Sequence, residues 1–172
     1  MGDRVAILGA AGAIGRACAD EFERRGTPLT VTGRDEVRLA HSFGDRAEIR
    51  AADLADIDKT EAALRGAGAA VYCAGHPCPQ FEQHPVLARS ALEAARRAGV
   101  SRMVVVSSVY SYGHPRTSPV SADHRREPET RKGRCRRQQE DAALEADGRG
   151  GLRTAVLHLP GFYGPNADLS SS

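Results

Sequence analysis

The stretch Gly9-Ala10-Ala11-Gly12-Ala13-Ile14-Gly15, entered from an apolar run at 4–8, decides the reading of this 172-residue chain. Small residues let a backbone turn tightly and bring its N–H groups against a pyrophosphate. The helix N-terminus that follows adds partial positive charge. The spacing is Gly-x-x-Gly-x-x-Gly in place of Gly-x-Gly-x-x-Gly, and a glycine-rich turn taken alone serves plain helix–sheet packing equally well. The context of the turn therefore carries the argument.

Strand-length apolar runs recur at 4–8, 28–32, 47–51, 69–73, 102–107 and 152–158, separated by segments of helical period. Ile14, Cys18 and Phe22 fall at i, i+4 and i+8, and Leu87, Ala91, Ala94, Ala95 and Ala98 make a second stripe. Gly26 and Gly99 follow these stripes where a helix ends, and Pro28 prevents the first helix from resuming. Met103, Val104, Val105 and Val106 are apolar on both parities, as a central strand covered on both faces requires. The alternation predicts an α/β chain with a Rossmann-type doubly wound parallel sheet, strand order 3-2-1-4-5-6, and a ligand across the carboxyl ends of the strands. Residues 114–129 turn to Pro, Ser, Thr and charge and read as a long loop.

Composition fits one domain, 1–172, with about 70% of the unfolded surface buried on folding. Hydrophobic residues at 41% and charged residues at 27% exclude a disordered, collagenous or coiled-coil chain, and a net charge of +2 does not by itself imply a polyanionic partner. No apolar run approaches the roughly 20 residues of a membrane helix, so neither an anchor nor an export signal is expected. Cys18, Cys73, Cys78 and Cys135 form no Cys-x-x-Cys pair and read as reduced thiols of a cytoplasmic protein. Cys73, His76 and Cys78 lack a closing partner of metal-ligand spacing, so no metal is expected.

With these motifs in order, the chain resembles the short-chain dehydrogenase/reductase superfamily, in its extended branch of NAD-dependent epimerases and dehydratases. The resemblance runs through Gly9, Gly12 and Gly15, Asp53-Leu54, Ala74-Gly75, Ser107-Ser108 with Tyr112-Gly113, and Phe162-Tyr163-Gly164-Pro165. It implies a dinucleotide held by Gly9, Ala11, Gly12, Ala13, Ile14 and Gly15, with Asp53 and Leu54 at the adenine and Ala74 and Gly75 where the backbone passes close to the cofactor. As an alternative, Asp53 caps the helix that includes Thr60 and Leu64.

An acid about 20 residues past the glycines favours a free ribose 2′-OH, whereas an arginine there accommodates a 2′-phosphate. Here the second strand runs out through Thr32-Gly33-Arg34-Asp35. The resemblance places Gly33 in the slot of the acid and leaves Arg34 to meet a phosphate with its fork of donors. NADP is therefore preferred over NAD, with Asp35 as the residue that could still reach a ribose.

Reductive chemistry in this superfamily couples hydride transfer to a hydroxyl donor and to a tyrosine activated by a lysine. Ser108, four residues before Tyr112, matches the hydroxyl; its alternative is a serine bonded to its own loop. A Tyr-x-x-x-Lys is absent: the segment 130–140 resembles the family's Thr-x-Tyr-Gly-x-x-Lys-x-x-x-Glu helix, but with Lys132 in the tyrosine slot and Arg136 in the lysine slot. Three routes stay open. A phenol comes from Tyr110, Tyr112 or Tyr163; Lys132 acts as acid and base; or the fold binds dinucleotide without turnover.

Between 125 and 137 lie Arg125, Arg126, Arg131, Lys132, Arg134, Arg136 and Arg137 against Glu127 and Glu129, yet 114–161 holds no aromatic on which a base could stack. A solvated face with one or two phosphate contacts is expected, and no nucleic acid. Extended members continue into a substrate lobe, so the chain is expected to be a truncated form or to take its second wall from another subunit; a homodimer is the default assembly. The functional expectation is an NAD(P)-dependent epimerase, dehydratase or reductase acting on a small carbonyl or sugar-like substrate. The alternative is a non-catalytic dinucleotide sensor or scaffold.

Overall fold

Short apolar runs alternating with amphipathic segments build a parallel sheet, because each crossover helix buries its stripe on the strands it connects. The computed structural model describes residues 4–75 and 80–161. The alternation yields β1 (Val5–Leu8), α1 (Ala13–Arg24), β2 (Leu29–Thr32), α2 (Glu36–Phe43), β3 (Glu48–Ile49), α3 (Ile57–Leu64), β4 (Ala69–Tyr72), α4 (Gln83–Arg97), β5 (Arg102–Ser108), α5 (Arg131–Ala146) and β6 (Arg153–Leu159). All six strands are parallel, in the expected order β3-β2-β1-β4-β5-β6. Sequence order reverses between β1 and β4, which opens a crevice at their carboxyl ends.

Successive side chains of each strand enter two different apolar layers. Ala6, Leu8, Tyr72, Met103 and Val105 face α3, α4 and α5, while Val5, Ile7, Val31, Val71 and Val106 face α1 and α2. Alanines Ala91, Ala95 and Ala143 are fully buried where α4 and α5 press on the sheet, so the helix backbones approach closely.

β3 is shorter than the run at 47–51: Glu48 and Ile49 pair with Thr30 and Val31 at the sheet edge. The chain keeps bonding to β2 beyond it, Arg50 N donating to Val31 O at 3.1 Å and Ala52 N to Gly33 O at 3.0 Å, without a second neighbour to complete a ladder.

Helix starts follow their capping residues. Asp35 accepts from Arg38 N at 2.9 Å at the head of α2, and Thr130 accepts from Gly133 N at 3.0 Å at the head of α5. The capping alternative for Asp53 is corrected: α3 is capped by Asp56, which accepts from Lys59 N at 3.0 Å, whereas the Asp53 carboxylate turns its own loop by accepting from Ala55 N at 3.0 Å. Asp53 lies three residues too early, and Asp56 alone reaches the first turn of α3.

Leu8 is fully buried at the centre of the sheet. Leu8→Ala should cost about 2–5 kcal/mol, read as a lower urea midpoint at an unchanged slope.

Candidate functional site

The crevice is bounded by the turn that follows β1. Gly9 has φ +82°, and a Cβ there would lie 2.6 Å from the Ala74 Cα beyond β4; a Cβ on Gly15 would lie 2.6 Å from the Ala10 Cα. The turn is tied to the end of β2, with Gly9 N and Ala10 N donating to Thr32 O at 2.9 and 3.2 Å. Gly12 is the N-cap of α1, which has no side-chain cap and no acid in its first turn. The leading amides of α1, on Ala13, Ile14 and Gly15, are thus left without a side-chain acceptor, in contrast to α2, α3 and α5. Ala11 is half-buried and Gly12 exposed on the rim of this turn.

Arg34 is exposed just past β2 and has no hydrogen-bonding or ionic partner among the described residues. Asp35, its rival for a ribose, has one carboxylate oxygen committed to the α2 cap. Asp53 is exposed beyond β3, while Leu54 packs into the core against the sheet. Ala74 is half-buried and Gly75 exposed beyond β4, and a Cβ on Gly75 would meet nothing within 4 Å.

Beyond β5, the 3₁₀ turn Val109–Tyr112 carries the hydroxyl side chains. Ser108 Oγ accepts from Tyr110 N at 3.3 Å, the loop bond anticipated as its alternative role, and its carbonyl accepts from Ser111 Oγ at 3.2 Å. Of the three phenols considered, Tyr163 lies outside the described residues, as do His76, Cys78 and the rest of the segment 162–165. Tyr112 is 7% exposed, with its ring 4.6 Å from that of His158 and its hydroxyl 3.3 Å from His158 Nδ1. Burial and the nearby Glu140 carboxylate push its phenol up. Tyr110 is 51% exposed, and the Lys132 ammonium lies 4.3 Å from its ring centroid and 5.3 Å from that of Phe81. Lys132 is therefore held by two aromatic faces.

A buried polar cluster that the sequence reading did not assign lies directly behind Ser108. The fully buried Glu140 of α5 accepts a short hydrogen bond from Ser107 Oγ and one from Arg126 Nη1 at 3.2 Å, with His158 Nε2 3.1 Å away. Arg126 also pairs with Asp141 at 2.7 Å, which fastens the long loop before α5 onto that helix. Burial alone would raise the Glu140 carboxyl, but His158, Ser107 and Ser111 more than offset this and hold it below its ordinary value. One signal was available: Glu140 ends the segment at 130–140 at the glutamate of the family helix.

The basic run at 125–137 is largely satisfied at home. Arg125 lies 3.7 Å from Glu127, Arg137 3.8 Å from Asp141, Arg134 donates to Glu129 O at 2.6 Å, and Arg131 pairs with Glu82. A groove between α4 and α5, lined by Arg89, Glu93, Glu145 and Arg149, lies toward the far ends of those helices from the glycine turn. Among the described residues, no group of three His, Cys, Asp or Glu side chains is placed to hold a metal ion, and no helix is long and apolar enough to cross a membrane. Cys18, Cys73 and Cys135 are free thiols.

The strand order and the glycine turn define the Rossmann class. The chain belongs to the NAD(P)H-binding family, whose model matches residues 9–148. It is 29% identical over 181 residues to a UDP-glucose 4-epimerase of Rhizobium leguminosarum bv. trifolii, covering 97% of this chain and 54% of the relative. A solved UDP-glucose 4-epimerase of Thermotoga maritima with UDP-glucose superposes with a TM-score of 0.83 at 18% identity, over 96% of this chain and 58% of that one. A short-chain dehydrogenase/reductase superfamily protein of Agrobacterium tumefaciens with bound NAD gives 0.77 at 23% identity, over 90% and 48%. The chain spans about half the length of the relatives it matches, and at such identities the two solved structures establish a common fold.

Because the folded Glu140 pKa lies below the ordinary 4.5, its stabilisation is complete above that pH and lost as pH falls through the folded value. Removing one partner of such a buried cluster costs about 3–5 kcal/mol. Glu140→Ala should lose about that much at neutral pH, and the stability gap between wild type and Glu140→Gln should close on acidification, both read by urea unfolding as a function of pH.

Proposed function

We propose that this chain binds a nicotinamide dinucleotide, NADP in preference to NAD, and serves the epimerase, dehydratase or reductase chemistry of its superfamily on a carbonyl or sugar-like small molecule. The observation that carries the reading is the uncapped N-terminus of α1, set by the glycine turn at the reversal of strand order. The residues fit such a group, since the exposed Gly75 extends no side chain into the crevice.

In this reading the amides of Ala13, Ile14 and Gly15 hold the pyrophosphate, with Gly9, Ala11 and Gly12 shaping the turn. Asp53 and the backbone at Leu54 border the adenine, and Ala74 and Gly75 permit close passage. Arg34, exposed and without a partner among the described residues, takes the 2′-phosphate. When bound, the nicotinamide supplies or accepts hydride. Ser108 Oγ accepts from Tyr110 N, which leaves its own proton to donate to a substrate oxygen. Lys132 and Arg136 place fixed positive charge where the family has its proton relay.

A second reading, a dinucleotide sensor without turnover, is favoured by the hydroxyl of Tyr112 facing His158 and by Lys132 standing in the tyrosine slot.

Titration of the purified chain with NADPH and NADH, followed by cofactor fluorescence, tests the first reading. NADPH should bind more tightly than NADH, and Arg34→Ala should weaken NADPH alone by about tenfold or more, the worth of a charge-assisted hydrogen bond. Equal affinities in the wild type would remove the NADP preference; binding of neither cofactor by the folded chain would remove the dinucleotide reading. Turnover of NADPH or NADP with a panel of aldehydes, ketones and nucleotide sugars then separates enzyme from sensor, because a sensor binds cofactor and converts none of them.

A further inference from the structure

Residues 113–127 leave the fold and return to it at almost the same point. Glu127 N donates to Tyr112 O at 3.3 Å, and Gly113, at φ +73°, lies so close to the Glu127 carbonyl that a Cβ there would collide with it. Between these ends the segment closes on itself. Arg116 Nη2 donates to Glu127 Oε2 at 2.6 Å. His124 Nε2 accepts from Arg116 N at 3.0 Å, so its Nδ1 carries the proton and donates to Arg125 O at 2.8 Å. A surface loop with adjoining ends, packed by its own side chains, is an Ω-loop.

Polar contacts fasten this loop to the domain. None of its residues is buried, and Gly113, His124 and Arg126 are half-buried. The His124 ring stands edge-on to Tyr112, with 5.6 Å between centroids. Arg126 crosses to α5, where Nη1 donates to the Glu140 carboxylate at 3.2 Å and Nη2 pairs with Asp141 at 2.7 Å. Glu140 is 1% exposed and also takes the Ser107 hydroxyl. The guanidinium therefore ends on the carboxylate that holds the residue next to Ser108, while His124 and Glu127 rest on the last residue of the Val109–Tyr112 turn. Just beyond the loop, Pro128 is seated against α5, where a Cβ on Gly133 would lie 2.6 Å from the Pro128 Cβ. A segment with little buried apolar surface opens at a lower free energy than the core, and as a contiguous unit.

We propose that residues 113–127 form a latched strap over the turn that follows Ser108. The strap swings as one body about its adjoining ends, Gly113 and Pro128, and Arg126 is the latch. Opening strips Tyr112 of the His124 ring and the Glu127 amide, which loosens the Val109–Tyr112 turn. Order beside Ser108 is thereby governed by an ion pair on α5, whichever reading of the crevice holds.

Amide hydrogen exchange of the full chain, resolved residue by residue by NMR, tests the strap. The bonded amides of Arg116, His124 and Glu127 should exchange together, by an opening that small additions of urea do not accelerate, while the Val105 amide in β5 follows global unfolding. Arg126→Met should speed those three, relative to Val105, by about tenfold or more, the worth of a charge-assisted hydrogen bond, and carry the Tyr110 amide with them. Asp141→Asn leaves Glu140 and its partners in place and should speed them about threefold, in keeping with a partly exposed ion pair. Arg126→Met combined with Glu140→Gln should be no faster at the strap than the faster single variant, because both changes open the same latch. Exchange of the three amides in step with Val105, no response to Arg126→Met, or effects that multiply in the double variant would each overturn the latched strap. A strap that responds while the Tyr110 amide does not would overturn its hold on the turn.

Discussion

Everything at the carboxyl edge depends on one steric constraint, the backbone contact between the turn after β1 and the segment after β4. The Ala74 Cα lies 2.6 Å from where a Gly9 Cβ would be, and the Ala10 Cα 2.6 Å from where that of Gly15 would be, too close for either methyl group. Two missing methyl groups therefore let β1 lie between β2 and β4 while α1 starts immediately above them. The same compactness brings the leading amides of α1 to the reversal of strand order, so packing and anion attraction come from a single local geometry.

A second organising element is α5, whose two ends do different work. Near its N-terminus the Lys132 ammonium lies against the Tyr110 ring and Arg136 donates to Gln139; further along, Gln139 and Glu140 turn into the fold, Gln139 donating to Val106 O at 3.0 Å and Glu140 accepting from Ser107. Glu140 thus steadies the residue next to Ser108 and, through Ser111, the turn that follows it. Arg126 brings the long loop before α5 into the same cluster, so the loop is held by ionic contacts although its sequence has no helical or strand period.

The sheet was legible because its signal is redundant. The strand runs have their own apolar residues, four of the six have a glycine or proline at a border, and two helical stripes lie between them; errors fell at edges, as at β3, where a one-sided strand stops after Glu48 and Ile49. The Asp53 alternative failed at a resolution of three residues, since Asp53 and Asp56 are equally good capping residues by type and only the helix start distinguishes them. The Glu140 cluster was illegible for a different reason. Its members, at 107, 126, 140 and 158, lie far apart in the chain and meet only once β5, β6 and α5 are assembled. The candidate residues were named from the sequence by type, and the structure added their surroundings: which phenol is shut in, which arginine has no counter-charge among the described residues, and which hydroxyl already accepts a bond.

The division of labour along Gly33-Arg34-Asp35 bears on how this molecule can change. Among the described residues, no side-chain contact on which the fold relies is made at 33 or 34: a Cβ at Gly33 would meet only the tip of Leu39, 3.9 Å away, its carbonyl bond to Ala52 N is backbone, and Arg34 reaches solvent. Asp35, by contrast, begins α2, and losing such a cap costs about 1 kcal/mol. Mutational drift at 33 and 34 is accordingly close to neutral for folding, while drift at 35 is taxed at once. Lineages descending from this chain could exchange the chemistry of the β2 rim through two freely variable positions and leave the scaffold untouched.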